Sequence, residues 1–199
     1  KSMKLIKNTQ DIANFLGIDI KFNNHIKDFQ IDSRQVTKNS LFFGLQGSKE
    51  DGSKYADHAL KQGASLALIK KTSNSKANNT QSKIHSVKDP AQALIILAQN
   101  VLDKYNGSII GITGSNGKTT TKNILHSGIN NSFATFENYN NEIGLPLCAL
   151  SLNTKQKIAV FEMGAAKKGD IDFLSNIVKP NIGIITNVVV IKMKNAANL

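Results

Sequence analysis

Short apolar runs separated by polar, glycine- or proline-marked breaks dominate the chain. Leu41–Leu45 (LFFGL), Ser65–Ile69 (SLALI), Lys157–Phe161 (KIAVF) and Asn181–Thr186 (NIGIIT) are nearly continuous apolar segments of strand length, the pattern of strands covered on both faces. Ile31–Arg34 predicts a further strand, parted from Leu41 by a polar turn at Lys38–Ser40. Helical segments lie between them. Met3–Gly17 (MKLIKNTQDIANFLG) predicts a short strand and then a helix, capped near Thr9 or Asp11 and stopped by Gly17. A second helix is expected over Lys54–Gly63. Pro90 opens a third, AQALIILAQNVLDKY, because its missing N–H costs nothing in a first turn. Lys71–Lys83 (KTSNSKANNTQSK) is almost devoid of apolar residues and predicts a surface loop or ragged hairpin.

Composition changes after the third helix, where Asn106 and Gly107 break the pattern. The expectation is α/β throughout: a small N-terminal α/β domain over residues 1–105, then a parallel-sheet domain over 106–199. A chain of 199 residues with 40% hydrophobic content can bury a substantial core. No run of about 18 apolar residues crosses a bilayer, and no signal-peptide pattern is visible, so a cytoplasmic protein without membrane insertion is expected. Cys148 is the single cysteine, which excludes a disulfide framework and predicts a small buried residue beside Leu147.

The net charge of +11 raises nucleic acid as a partner, but its distribution argues against one. Lysines are scattered through every segment, and no interleaved aromatic pattern accompanies them. Arg34 is the one arginine among 25 basic residues, which singles it out. The histidines at 25, 58, 85 and 126 show no metal-ligand spacing and are expected on the surface or in helices.

Gly111–Lys122 reads GITGSNGKTTTK, directly after the apolar Ile109 and Ile110. A glycine loop between a strand and a helix can wrap phosphates with backbone N–H groups, with a lysine on the β and γ phosphates and a hydroxyl on Mg²⁺. Strand, loop and helix are all expected here, which makes this a P-loop. The general spacing GxxxxGK[ST] is missed by one position, since Ile112 stands where the first glycine belongs.

TGSNGKTT resembles the ATP loop of the Mur ligases, the cytoplasmic amide-forming enzymes of peptidoglycan synthesis. IDSRQV, LFFGLQG and DGSKYADHALKQGA are similar to that family's uridine-nucleotide-binding domain, although Ser53 and Tyr55 replace its usual histidine and phenylalanine. ENYNNEIGLPLCALSL carries NxNNxxGxP, which resembles the branch that adds D-alanyl-D-alanine rather than the diamino-acid-adding branch with its TTP motif. FEMG and NIGIITN match the family's acidic strand end and a following strand.

The resemblance implies that ATP phosphorylates the carboxylate of UDP-N-acetylmuramoyl-tripeptide, and that the amine of D-alanyl-D-alanine attacks the acyl-phosphate. It implies ATP binding by Gly114, Ser115, Asn116, Gly117, Lys118, Thr119 and Thr120, with Lys118 and Glu162 catalytic and Thr119 and Glu162 on Mg²⁺. Ser33, Arg34, Gly47, Asn138 and Asn141 are the implied UDP-substrate residues, although asparagines at 138, 140 and 141 equally suit a turn. Two other readings stay open: a diamino-acid-adding Mur ligase, or a nucleotide-binding module without catalysis.

One departure lies at the end of the chain. After TN the family typically continues into a small residue, a histidine and a glycine, where this chain has Val189 and Lys192. The family's further ATPase segments and C-terminal domain have no counterpart here, so an incomplete, monomeric chain that binds substrates without joining them is expected.

Overall fold

The computed structural model describes residues 4–48, 50–71 and 82–188. Most of the polar segment at 71–83, together with Val189 and Lys192, lies outside the described residues.

Two parallel four-stranded sheets follow one another along the chain. The first has strands β1 (Asp28–Gln30), β2 (Ser40–Phe43), β3 (Leu66–Lys70) and β4 (Ile84–Val87), in that spatial order. Helix α1 (Thr9–Leu16) precedes it, and α2 (Ala56–Lys61) joins β2 to β3. The second has β5 (Ser108–Thr113), β6 (Ser132–Ala134), β7 (Ile158–Glu162) and β8 (Ile182–Ile185), in spatial order β6-β7-β5-β8. Its helices are α4 (Lys118–Gly128), α5 (Gly144–Ala149) and α6 (Asp170–Val178).

Local chemistry moves several boundaries. The cap of α1 is Asn8, whose carbonyl oxygen accepts the N–H groups of Gln10 and Asp11, while the Asp11 carboxylate accepts the Asn8 N–H. Thr9, one of the two expected caps, is instead buried, and its hydroxyl donates to the Phe22 carbonyl at 2.8 Å. Gly17 ends α1 as expected, in the left-handed conformation at φ 64°. The strand expected at Ile31–Arg34 lies earlier, at 28–30, because Asp32 closes a turn there. Its carboxylate accepts the Arg34 N–H at 2.9 Å, and its carbonyl accepts the Gln35 N–H at 3.0 Å. The helix expected over 54–63 splits into a 3₁₀ turn at Gly52–Tyr55 and α2.

Between the sheets runs α3 (Pro90–Asp103), capped by the Asp89 carboxylate on the Ala91 N–H at 2.8 Å. Leu94, Leu97, Ala98 and Val101 are fully buried on it. The helix packs on α1, β2 and β3 on one side and on α5 and α6 on the other, so one apolar cluster continues from Ile6 to Val178. Truncating Leu94 or Leu97 to Ala is expected to cost about 2–5 kcal/mol through transfer and cavity terms. Cys148 is buried as expected; burial pushes its thiol up to about 12.

His85 departs from expectation. It sits on β4 with 1% exposure, in register with Leu68 and tilted against the Phe22 ring, and burial pulls its pKa below the ordinary 6.5. The unfolded chain takes up a proton near pH 6.5 and the folded chain does so only at lower pH. Between those values the unfolded state holds more protons, so stability is complete above about pH 6.5 and falls as pH drops below it. The carboxyls of Asp32, Glu50, Asp51 and Asp170 are held below their usual range by hydrogen bonds, so they titrate at more acid pH. The thermal midpoint of the native chain should therefore decline from about pH 6.5 to about pH 5, with a flatter slope in His85→Leu. An identical slope in the two proteins would assign the acid sensitivity elsewhere.

Candidate active site

The site gathers at the C-terminal ends of β5 and β7, beside the point where the strand order reverses about β5. The buried run of β5 delivers the chain to Gly114, whose φ of +139° is open only to glycine. A Cβ there would meet Thr186 Oγ1 at 2.1 Å and the Asn187 carbonyl at 2.9 Å. The loop after it is braced from the end of β8. Asn187 accepts the Ser115 N–H on its carbonyl at 3.0 Å and the Asn116 N–H on its side chain at 2.8 Å. Thr186 donates its hydroxyl to the Asn116 carbonyl at 2.5 Å.

Gly117 (φ 81°) turns the chain into α4, which begins with no side-chain cap on its first N–H groups. Donors at a helix start, with the positive end of the dipole behind them, suit a phosphate. Lys118 is partly buried rather than fully exposed, and its ammonium folds back on the Gly114 carbonyl at 2.6 Å. Thr120 is exposed on the same turn.

Glu162 ends β7 beside Ile112 of β5, with 3% exposure. Each carboxylate oxygen is engaged: the Thr119 hydroxyl donates to Oε2 at 2.9 Å, and the Asn140 amide donates to Oε1 at 3.0 Å. Lys122 Nζ stands 3.8 Å from Oε2 and donates to the Thr135 carbonyl at 3.0 Å. Among the described residues no group of three or more His, Cys, Asp or Glu side chains could hold a metal ion. The pair Thr119 and Glu162 supplies hard oxygen donors, which fits a Mg²⁺ that keeps several waters and shares phosphate oxygens.

One cavity adjoins this cluster, and another lies across the turn at 141–143. The first, of about 340 Å³, is lined by Lys118, Asn140, Asn141, Glu142, Gly164 and Phe173. The second, of about 650 Å³, is lined by Ser33, Arg34, Gly47, Glu50, Tyr55 and Ile143. The turn carrying Asn141, Glu142 and Ile143 thus forms a wall of both. Arg34 points its fork at Asp32, with Nε at 2.9 Å and a terminal nitrogen at 2.6 Å, which holds the Asp32 carboxyl below its usual range. Tyr55, in place of the family's phenylalanine, donates its hydroxyl to the Glu50 carboxylate. Ser53, in place of the histidine, accepts the Lys70 N–H at 3.1 Å.

Sequence reasoning grouped Asn138 and Asn141 with Ser33, Arg34 and Gly47, and the structure separates them. Asn141 lines the Lys118 cavity and braces the turn into α5, its side-chain oxygen accepting the N–H groups of Ile143 at 3.2 Å and Gly144 at 2.8 Å. Asn138 is exposed in a tight turn, where its carbonyl accepts the Asn140 N–H at 2.8 Å. Lys122, Thr135 and Asn187 were missed. The only signal for Lys122 is its spacing, four residues and one helical turn beyond Lys118.

Comparison with known proteins agrees with this arrangement. A ligase from Haemophilus influenzae named UDP-N-acetylmuramoyl-tripeptide--D-alanyl-D-alanine ligase is 38% identical over 83% of this chain and 37% of its own length. The Bacillus subtilis protein of the same name is 36% identical over 79% of this chain and 35% of its own length. The chain therefore spans little more than a third of these curated relatives. Among solved structures, MurF ligase from Thermotoga maritima in complex with ADP superposes with a TM-score of 0.69 at 32% identity, covering 81% of this chain and 37% of that one. The corresponding Acinetobacter baumannii ligase gives 0.72 at 30% identity, with coverage of 81% and 36%. A Mur ligase catalytic-domain model matches residues 25–101 and a Mur ligase middle-domain model matches 112–189, and on these matches the chain belongs to the Mur ligase family.

Proposed function

We propose that these residues form the substrate-gathering part of an ATP-dependent ligase that joins UDP-N-acetylmuramoyl-tripeptide to D-alanyl-D-alanine in the cytoplasm. The observation that carries this reading is the buried carboxylate of Glu162, hydrogen-bonded to Thr119 of the glycine loop and to Asn140 in the wall of the Lys118 cavity. Residues 1–105 would hold the UDP end of the substrate in the Arg34 cavity, and residues 106–199 would hold ATP at the loop. A ligand lying across the wall at 141–143 would bring its peptide carboxylate toward Lys118. The names of the relatives, and solved MurF neighbours at 30–32% identity, favour D-alanyl-D-alanine over a diamino acid as the incoming amine.

A carboxylate resists attack by an amine because it is anionic and offers no leaving group. In the proposed sequence a carboxylate oxygen attacks the γ-phosphorus and ADP leaves. The amine nitrogen then attacks the acyl carbon, phosphate departs and the nitrogen gives up a proton. The protein's task is to bring the groups together and balance charge. Lys118 and the N–H groups at the start of α4 would neutralise the phosphates. Thr119 and Glu162 would hold Mg²⁺, which when bound supplies charge to the transferring phosphoryl group.

Three measurements on this chain test the reading. Lys118→Ala should weaken ATP binding by about tenfold or more, the scale of a lost charged hydrogen bond, without lowering the thermal midpoint. Unchanged calorimetric affinity would remove Lys118 from the site. Glu162→Gln should weaken Mg·ATP binding more than metal-free binding, whereas equal losses would mark Glu162 as structural. Titration with UDP should shift the amide resonances of Ser33, Arg34 and Gly47 independently of ATP. Shifts confined to the opposite face of the first sheet would move the uridine site elsewhere.

A further inference from the structure

Among the described residues of α4, only Lys122 is buried. A lysine is a costly choice for that place, since a buried ammonium needs both a counter-charge and hydrogen-bond acceptors. Its pairing with Glu162 is also, among the described residues, the one ion pair with both side chains buried, at 5% and 3% exposure; the others lie at the surface.

The geometry divides the work between charge and hydrogen bonding. At 3.8 Å from Oε2 the ammonium stands beyond hydrogen-bond range, while the low exposure of both side chains makes their attraction stronger than in bulk water. Its own donor goes to the Thr135 carbonyl at 3.0 Å. The Thr135 hydroxyl in turn accepts the Glu162 N–H at 2.8 Å and donates to the Val160 carbonyl at 3.2 Å, so one residue fixes both partners. The two carboxylate oxygens are left to Asn140 and Thr119.

We propose that Lys122 is a positioning residue: a fixed counter-cation that keeps the Glu162 carboxylate in its buried place and oriented toward Thr119 without occupying either oxygen. The role rests on the nucleotide site proposed for the loop, and it goes beyond that site because Lys122 does not line the cavity at Lys118 and instead borders a separate one with Thr135. Without it, an unbalanced buried carboxylate turns toward solvent, and the oxygen pair offered to a metal is dispersed.

Calorimetry of ADP binding to the full chain, with and without Mg²⁺, tests this in four proteins: native, Lys122→Met, Glu162→Gln and the double variant. Lys122→Met should lose about 10–100-fold in Mg·ADP affinity, as outer partners of metal ligands do, while metal-free ADP affinity stays at its native value. In the Glu162→Gln background the same substitution should cost nothing further. Thermal midpoints guard against a folding defect. The midpoint lost in Lys122→Met should be regained in the double variant, where no unpaired carboxylate remains. A native chain that binds no ADP removes the proposed nucleotide site itself. A native chain that binds Mg·ADP, with Lys122→Met binding equally or more tightly, overturns the role of Lys122 alone. Equal midpoint losses in both backgrounds would assign Lys122 to packing and overturn it as well.

Discussion

A carboxylate cannot be buried beside a glycine loop without a settled set of partners, and most of the second sheet's arrangement follows from the partners of Glu162. Placing it at the end of β7 requires Thr119 and Lys122 from the first turns of α4, Asn140 from the turn before α5, and Thr135 from just beyond β6. Those groups come from three segments spread over residues 119–140, and β7 brings Glu162 to them. Their convergence fixes how α4 sits over the sheet, which fixes where its uncapped N–H groups point. The anion binding proposed for the loop and the metal binding proposed for Glu162 would therefore be outcomes of one folding constraint.

The loop has a second support that is independent of charge. Gly114 approaches Thr186 and Asn187 so closely that no side chain fits, and those residues take up the N–H groups of Ser115 and Asn116. The donors left for the proposed phosphate are thereby narrowed to the start of α4 beyond Gly117. A P-loop spacing displaced by one residue remains workable because the end of β8 braces the front of the loop. The general motif counts residues, whereas the site needs only a turn that exposes the helix start.

Legibility in the sequence followed the range of the interactions. β2, β3, β5, β7 and β8 were readable from their apolar runs, and α3 from its periodicity and leading proline, because burial on two faces writes itself into local composition. The strand β4 was not, since IHSV follows a polar segment and carries a histidine that only the packed sheet buries. β6 is three residues long, and α5 is buried on every side, so neither offers a period. The misplaced first strand shows a single aspartate overriding an apolar neighbour: Asp32 makes a turn of what Ile31 suggested as a strand. Glu162 was readable from its strand end. Lys122 was not, because its burial depends on a carboxylate forty residues away, and a lysine on a polar helix face otherwise looks solvated.

Arg34 illustrates how composition and geometry combine. All but one of the chain's 25 basic residues are lysines, yet the cavity on the first sheet carries the single guanidinium. Two of its nitrogens engage both oxygens of Asp32, a planar two-point contact that an ammonium on a flexible stem cannot copy. The contact is solvent-exposed, so its contribution to stability is small. Its consequence is directional: the planar group is held at the mouth of the cavity rather than sweeping through water. Charge placed in this way costs less ordering when an anionic ligand arrives than the same charge on a free lysine, because part of the side-chain entropy has already been lost on folding. The same pairing of a carboxylate with a cation thus recurs at two depths: Asp32 orients Arg34 in the exposed wall of the first-sheet cavity, and Lys122 stands beside Glu162 in the interior of the second domain.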